Sequence, residues 1–204
     1  MRTITNTYNV YRFDELSDEA KEKALDDFRY NNVFAWQDEI IDTIKAIAKA
    51  MNCRASWYSY DGIAYDVSFD SNAEEDIENL KGKRAYAYIF NNFLFPNRSM
   101  KTYWLNHMIH CDGRKNWSRK SKLFFGWDDC PFTGYCADCC FIEAWREWVK
   151  DFNKNSTVGD FILMVANRLG DEWTSDNEYQ MSDEYIKEMF DINDYEFLED
   201  GTVF

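Results

Sequence analysis

The stretch WQDEIIDTIKAIAKAMNCRASWYSYDGIAYDVSF, residues 36–69, decides the fold because it joins a helical pattern to a strand pattern. Its second half places Asp61-Gly62 between residues 55–60 and 63–69, and Asp-Gly is typical of a type I′ hairpin turn. Its first half repeats apolar residues at 3.6-residue spacing: Trp36, Ile40, Ile41, Ile44, Ile47, Ala48 and Met51. We therefore predict a core helix followed by a β-hairpin whose buried face carries Ile63, Tyr65, Val67 and Phe69.

Towards the N-terminus, residues 3–12 are rich in strand-forming side chains and predict a strand. Ser17 then predicts the N-cap of a helix over about 18–30, with acidic residues in its first turn. Beyond the hairpin, Asn72 and Glu75 predict a short helix that ends near Gly82. The alternation of Tyr86, Tyr88 and Phe90 predicts a further strand.

The C-terminal half shows mainly helical patterns. Residues 123–127 predict a strand, and apolar spacing then predicts one helix through Phe141, Trp145, Trp148, Val149 and Phe152. Thr157 with Asp160 predicts the start of a second helix, and Ser182 the start of a short third. The expected fold class is α+β, with a small antiparallel sheet, including the Asp-Gly hairpin, packed against several amphipathic helices.

The composition bounds the kind of protein. Apolar residues make up 46% of the 204 residues, and no Gly-, Pro- or Ser-rich stretch divides the chain, so we expect a single domain over 1–204. No apolar run is long enough for a membrane helix and no signal peptide is evident, so we expect no membrane partner and a cytoplasmic location. In that setting the six cysteines are expected to be reduced thiols or metal ligands.

The net charge of −14 is unevenly distributed. Residues 1–80 carry 8 basic and 17 acidic residues, a net of −9; residues 81–122 carry 10 and 1, a net of +9; residues 123–204 carry 5 and 19, a net of −14. A dense anionic surface repels nucleic acid but complements a cationic groove on a protein. The charge distribution alone therefore allows either a cationic protein or an anionic nucleic acid as the partner.

The basic block, residues 81–122, combines cations with aromatic rings, a composition typical of nucleic-acid binding. Its candidate binding residues are Arg114, Lys115, Trp117, Arg119 and Lys120. The competing interpretation is that the block packs against the acidic ends and is neutralised by them.

A second candidate site is the cysteine-rich segment, where Cys136-x-x-Cys139 has the spacing of a zinc knuckle. A tetrahedral site needs four ligands; Cys130 and Cys140 would add to that pair, and His107, His110 and Cys111 upstream are further candidates. The competing interpretation treats these cysteines as small buried apolar residues at the start of a helix, with no cofactor. No Gly-rich phosphate loop, nucleophile elbow or His-Glu-x-x-His motif occurs, so we expect a protein that is not an enzyme.

Three segments carry a resemblance: FDELSDEAKEKA at 13–24, FTGYC at 132–136, and NDYEF with EDG between 193 and 201. Together they are similar to a group of uncharacterised accessory proteins of phages and prophages in gut bacteria. In that group the loop often has one cysteine, so Cys139 and Cys140 depart from its pattern. Small acidic proteins from this setting resemble inhibitors of host defence, including type II anti-CRISPR proteins that bind Cas9.

The leading hypothesis is thus an acidic phage protein that binds and inhibits a bacterial defence nuclease, such as a Cas9-like effector or its guide-RNA complex, in the host cytoplasm. It would act as a nucleic-acid mimic. One alternative is a nucleic-acid-binding module that uses residues 81–122 and is braced by zinc. Another is an antitoxin-type regulator with a dedicated protein partner. Its expected composition is the same as that of the inhibitor, so the sequence does not separate the two.

Overall fold

The computed structural model describes residues 1–2, 4, 7–31, 34–73, 76–94, 101–104, 122–126 and 132–204. The helices are α1 (Asp18–Asn31), α2 (Gln37–Ala50), α3 (Lys83–Tyr88), α4 (Cys139–Lys150), α5 (Val158–Gln180) and α6 (Asp183–Ile192). The strands are β1 (Cys53–Ser59), β2 (Tyr65–Ser71), β3 (Lys101–Trp104) and β4 (Lys122–Gly126). Short 3-10 turns cover Phe13–Glu15 and Cys136–Asp138, and a π-helix covers Ile89–Leu94.

The chain divides into two compact units. Unit 1 contains Met1–Ala35 and Ser175–Phe204, and unit 2 contains Trp36–Thr174. Unit 1 is therefore built from the two ends of the chain. The expectation of a single domain over 1–204 stays a prediction.

The core of unit 2 surrounds the predicted helix α2. Ile44, Ile47 and Met51 are fully buried, whereas Trp36 is 57% exposed at the left-handed residue before the helix. The same core takes in Val67 and Phe69 of β2 and the buried faces of α4 and α5. The predicted core helix is confirmed, and the expectation that Trp36 belongs to the core is wrong.

The hairpin is confirmed, but its turn is longer than predicted. Strands β1 and β2 pair antiparallel from Cys53 opposite Ser71 to Ser59 opposite Tyr65, so five residues connect them. Of the two turn residues only Gly62 has a positive φ, 85°, which excludes a type I′ turn. The Asp61 carboxylate instead accepts the N–H groups of Ile63 and Ala64, both at 2.9 Å.

The prediction of a strand around Tyr86, Tyr88 and Phe90 is wrong, because this segment is helical. Ala85, Ile89 and Phe93 lie four residues apart and are buried on one face. The tyrosines are half-buried around that face, so their alternation does not report an extended chain. The predicted helix from Asn72 to Gly82 is also wrong for residues 76–82, which are irregular and include a β-bridge between Lys81 and Thr157.

In unit 1, α1 and α6 share a small aromatic core. Ala20, Ala24 and Leu25 of α1 cluster with Ile186 and Phe190 of α6. Both predicted caps are confirmed, since the hydroxyl of Ser17 accepts the Ala20 N–H at 3.3 Å and that of Ser182 accepts the Tyr185 N–H at 3.2 Å.

The prediction of a strand over 3–12 is wrong for residues 7–12. They hold a single bridge, in which Tyr11 and Phe197 exchange two backbone hydrogen bonds of 2.9 Å. A strand needs several consecutive backbone pairs with a neighbour, and a single bridge does not supply them. The strand propensity of these side chains was therefore not sufficient.

The fold class is α+β, as the sequence predicts. Strand β3 pairs antiparallel with β4, which confirms the predicted strand for residues 123–126 and adds one where the sequence predicted none. Among the described residues, no helix has both the length and the apolar character needed to cross a membrane.

Candidate functional site

The negative charge is concentrated in unit 1. Its 65 residues carry 6 basic and 17 acidic residues, a net of −11, which leaves −3 of the total −14 for unit 2. Because unit 1 joins the two ends of the chain, it combines acidic residues that lie more than 150 positions apart in sequence. Unit 1 therefore has the larger net charge of the two units.

Helix packing turns these carboxylates outwards. The apolar stripes of α1 and α6 are used in the shared core, so the polar stripes carry Glu19 and Glu22 on one helix and Glu184 and Glu188 on the other into solvent. Sixteen of the seventeen acidic side chains of unit 1 belong to exposed residues, and Asp176 is the exception.

Few of these charges are neutralised. The ion pairs of unit 1 use five carboxylates: Asp26, Asp27, Asp183, Asp194 and Asp200. Within the described part of the chain, the remaining exposed carboxylates of unit 1 have no ion pair. We call these eleven the acidic surface: Asp14, Glu15, Asp18, Glu19, Glu22, Glu178, Glu184, Glu188, Asp191, Glu196 and Glu199.

The C-terminal turn shows how the paired carboxylates differ from the acidic surface. Asp200 accepts the backbone N–H of Thr202 at 3.0 Å and an N–H of the Lys23 ammonium at 3.1 Å. These interactions lower the pKa of Asp200 to about 2. In the interior of unit 1, burial raises the pKa of Asp176, although a hydrogen bond from Gln180 opposes the shift.

The cysteine loop is organised by Asp138, which is fully buried. Its carboxylate accepts the backbone N–H groups of Phe132, Thr133 and Gly134 at 2.8–3.0 Å and the Thr133 hydroxyl at 3.1 Å. Thr133 also shares a 2.7 Å hydrogen bond with Thr43 of α2, which attaches the loop to the core of unit 2.

Three cysteines follow from this loop in different environments. Cys136 is exposed, Cys139 is half-buried at the start of α4, and Cys140 is buried. Burial raises the pKa of Cys139 and raises that of Cys140 further. Cys140 lies 3.7 Å from the backbone oxygen of Arg168, as expected for a small buried residue at the start of a helix.

The zinc prediction is not decided by this arrangement. Among the residues that the structure describes, no three of the residue types His, Cys, Asp and Glu come together in a way that would hold a metal ion. Cys130, the fourth predicted ligand, and the upstream candidates His107, His110 and Cys111 lie outside the described residues.

Of the basic block, the structure describes residues 81–94, 101–104 and 122. Lys81, Lys83 and Arg84 are exposed, and none of them has an ion pair within the described ranges. The backbone N–H of Gly82 donates to Ser156 at 2.8 Å, and the Gly82 backbone lies close enough to Lys154 that a Cβ would meet its carbonyl oxygen at 3.1 Å. This turn therefore brings the backbone of a fourth lysine beside the first three cations.

The predicted nucleic-acid-binding residues Arg114, Lys115, Trp117, Arg119 and Lys120 lie outside the described residues. No protein-family model matches the chain, and no curated protein or solved structure shows a significant match to it.

Sequence reasoning found the acidic ends but not their assembly into one unit. The available signal was the shared pattern of α1 and α6, which both begin at a serine cap with two acidic residues after it. Each has a narrow apolar stripe that requires a partner.

Proposed function

We propose that the protein is a phage-derived interaction protein whose acidic surface occupies the cationic nucleic-acid groove of a bacterial defence nuclease. The observation that supports this proposal is the net charge of −11 on unit 1 together with its exposed, unpaired carboxylates. A Cas9-like effector or its guide-RNA complex is the partner class we propose. The inhibitor acts by binding, without catalysis, in the cytoplasm of the host bacterium.

Charge density is the physical basis of the mimicry. Double-stranded DNA presents about one negative charge per 1.7 Å of axis, and proteins that bind it line their grooves with Lys and Arg. Carboxylates on two packed helices offer acceptors to the same side chains, and residues three or four apart on one helix present them about 5–6 Å apart. Such a surface competes with nucleic acid for one groove.

The direct test uses purified nuclease, guide RNA and a DNA target. We expect the wild-type protein to inhibit target cleavage, and neutralising Glu19, Glu22, Glu184 and Glu188 to Gln to weaken inhibition by tenfold or more. Exposed charges at the edge of an interface mainly affect the association rate. The weaker inhibition should therefore appear first as slower complex formation. Raising salt should weaken the wild-type complex steeply.

The matched control neutralises four exposed carboxylates of unit 2: Glu78, Asp151, Asp171 and Glu172. It removes the same total charge, so inhibition equal to that of wild type would assign the effect to the acidic surface. Equal losses in both variants would refute the role of unit 1, and so would a complex that is insensitive to salt.

The nucleic-acid-binding module remains a second candidate because Lys81, Lys83 and Arg84 have no ion pair within the described ranges. If it is correct, replacing Arg114, Lys115, Arg119 and Lys120 with Ala abolishes DNA or RNA binding by the full chain. Unchanged binding by that variant would remove this candidate. An antitoxin-type regulator would give a complex with a different protein partner and no inhibition of cleavage.

A further inference from the structure

An open cleft lies in unit 2 beside the end of α2 and the start of β1, and its volume is about 530 Å³. This volume is in the range of about 300–1,000 Å³ that is typical of small-ligand sites. Its lining combines two lysines, two asparagines and one tryptophan with small side chains such as a cysteine: Lys45, Lys49, Asn52, Asn72, Trp57 and Cys53.

The hairpin register positions the two asparagines at one end of the cleft. Cys53 pairs with Ser71, so the residues just outside the ladder are Asn52 and Asn72, and the Asn72 N–H donates to the Asn52 carbonyl at 3.0 Å. Asn52 has a φ of 54°, a left-handed conformation that Asn adopts more readily than most residues. The backbones of two exposed asparagines are therefore held next to each other at the protein surface.

Trp57 supplies a flat apolar surface that is held in place. Its side chain is 38% exposed, and its ring lies 6.4 Å from that of Trp173. Trp173 is buried and stacks on Tyr65 at 3.8 Å with an angle of 8° between the rings. Because the supporting rings fix Trp57 before any ligand arrives, stacking on it requires little loss of side-chain entropy.

One cation of the cleft lining has no ion pair within the described residues. Lys45 is paired with Asp42 at 3.1 Å, whereas Lys49 has no ion pair within the described part of the chain. The nearest charged neighbours in the hairpin, Arg54 and Asp70, pair with each other at 3.0 Å.

The cleft thiol contributes no negative charge near neutral pH. Burial, with smaller contributions from the nearby carboxylates of Glu78 and Asp70, raises the pKa of Cys53 to about 11. The negative end of α2 and these two carboxylates oppose an anion, so one free ammonium group suits one negative charge better than two.

We propose that this cleft binds one nucleotide of a single-stranded nucleic acid. The base stacks on Trp57, the phosphodiester lies beside Lys49, and the amides of Asn52 and Asn72 donate to and accept from the base edge. A duplex keeps its base faces inside the stack and cannot offer one to Trp57. The site uses only unit 2, so it does not depend on the function proposed for unit 1.

The test measures binding of fluorescently labelled ten-nucleotide single-stranded DNA and RNA to the full chain by anisotropy, in about 50 mM salt where the Debye length exceeds 10 Å. We expect Trp57→Leu and Lys49→Glu each to weaken binding by about tenfold, as expected for the loss of one stacked base or one phosphate contact. Duplex DNA of the same length serves as the comparison ligand. Comparing the two single strands shows whether the sugar is distinguished.

Two matched controls lie outside the cleft. Lys150→Glu makes the same charge change at another exposed lysine of unit 2, and Trp36→Leu removes another exposed tryptophan. Both should bind single strands like the wild type. Lys49→Glu alters an exposed side chain, so it remains informative if Trp57→Leu lowers the melting temperature.

The proposal is overturned if no single strand binds below about 1 mM, which corresponds to only about −4.1 kcal/mol. It is equally overturned if duplex binds as well as single strand, or if Lys150→Glu weakens binding as much as Lys49→Glu. Binding that survives both cleft variants but disappears on replacing Arg114, Lys115, Arg119 and Lys120 with Ala would place the site in residues 81–122 instead.

Discussion

At the scale of single residues, the rate at which each cysteine is alkylated reports how exposed its thiol is. Cys136 is exposed, whereas Cys53 and Cys140 are buried with raised pKa values, and only a thiolate reacts quickly with alkylating agents. At pH 7.5 we expect iodoacetamide to modify Cys136 at least tenfold faster than either buried thiol. Peptide mapping by mass spectrometry measures each rate separately.

The same labelling separates the two interpretations of the cysteine loop. A zinc ion held by Cys136 would block its alkylation until a chelator removed the metal. Protection of Cys136 that is released by a chelator would therefore support the zinc prediction. Equal labelling with and without the chelator would favour cysteines that pack without metal.

Asp138 is the residue on which the loop depends most. Replacing it with Ala leaves the backbone N–H groups of Phe132, Thr133 and Gly134 without their acceptor. We expect Asp138→Ala to reduce the free energy of unfolding by about 2–4 kcal/mol, because three N–H groups lose their hydrogen bonds to a buried carboxylate. Asp138→Asn keeps one carbonyl oxygen and should lose less.

Urea denaturation measures both changes. The control is Asp151→Asn on the surface, which should stay within about 0.5 kcal/mol of wild type. If Asp138→Ala is as stable as that control, the carboxylate does not organise the loop.

At the scale of elements, Gly201 in the C-terminal turn allows the turn to lie directly against the backbone of α1. Gly201 has a φ of 84°, and a Cβ there would overlap the backbone carbonyl of Ala20 in α1. Gly62 has the same kind of φ, 85°, but a Cβ there meets nothing within 4 Å. The two positions share the backbone strain and differ in the steric clash.

Alanine at each position therefore isolates the clash. Gly62→Ala should destabilise by about 1–2 kcal/mol, which is the cost of a left-handed non-glycine residue. Gly201→Ala should exceed that by about 1–3 kcal/mol as α1 and the turn move apart. Thermal unfolding of the two variants tests the difference, and equal destabilisation would mean that the turn does not press on α1.

The elements also show how far the sequence could predict the fold. Helix α2 was predictable because its apolar residues repeat only at helical spacing. Residues 83–94 carry two patterns at once, Ala85-Ile89-Phe93 at helical spacing and Tyr86-Tyr88-Phe90 at strand spacing. Burial decides between such patterns, and burial is a tertiary property.

The candidate sites follow the same rule. Asn52 and Asn72 could have been paired from the hairpin register, because a correct register places them opposite each other outside the ladder. The apolar stripes of α1 and α6 indicate that each helix needs a partner, but the assembly of residues 1–35 with 175–204 depends on a long-range contact that neither segment specifies alone.

At the scale of the whole molecule, unequal charge should make the stability of the two units respond differently to salt. Unit 1 has a net charge of −11, and like charges such as Glu184 and Glu188 lie four residues apart on α6. Repulsion of about 0.2–0.5 kcal/mol per such pair is screened as salt rises. Its exposed ion pairs are screened too, but such pairs contribute only about 0–1 kcal/mol each.

Repulsion outweighs attraction in unit 1, because eleven exposed carboxylates have no ion pair within the described residues while five do. Raising NaCl from about 0.01 to 0.1 M shortens the Debye length from about 30 to 10 Å. We expect the amides of α1 and α6 to become about fivefold better protected from hydrogen exchange, a change of about 1 kcal/mol.

The amides of α2, in a unit of net charge −3, should change little. Exchange followed by mass spectrometry resolves these segments, and a uniform response would show that the acidic surface is already neutralised within the molecule.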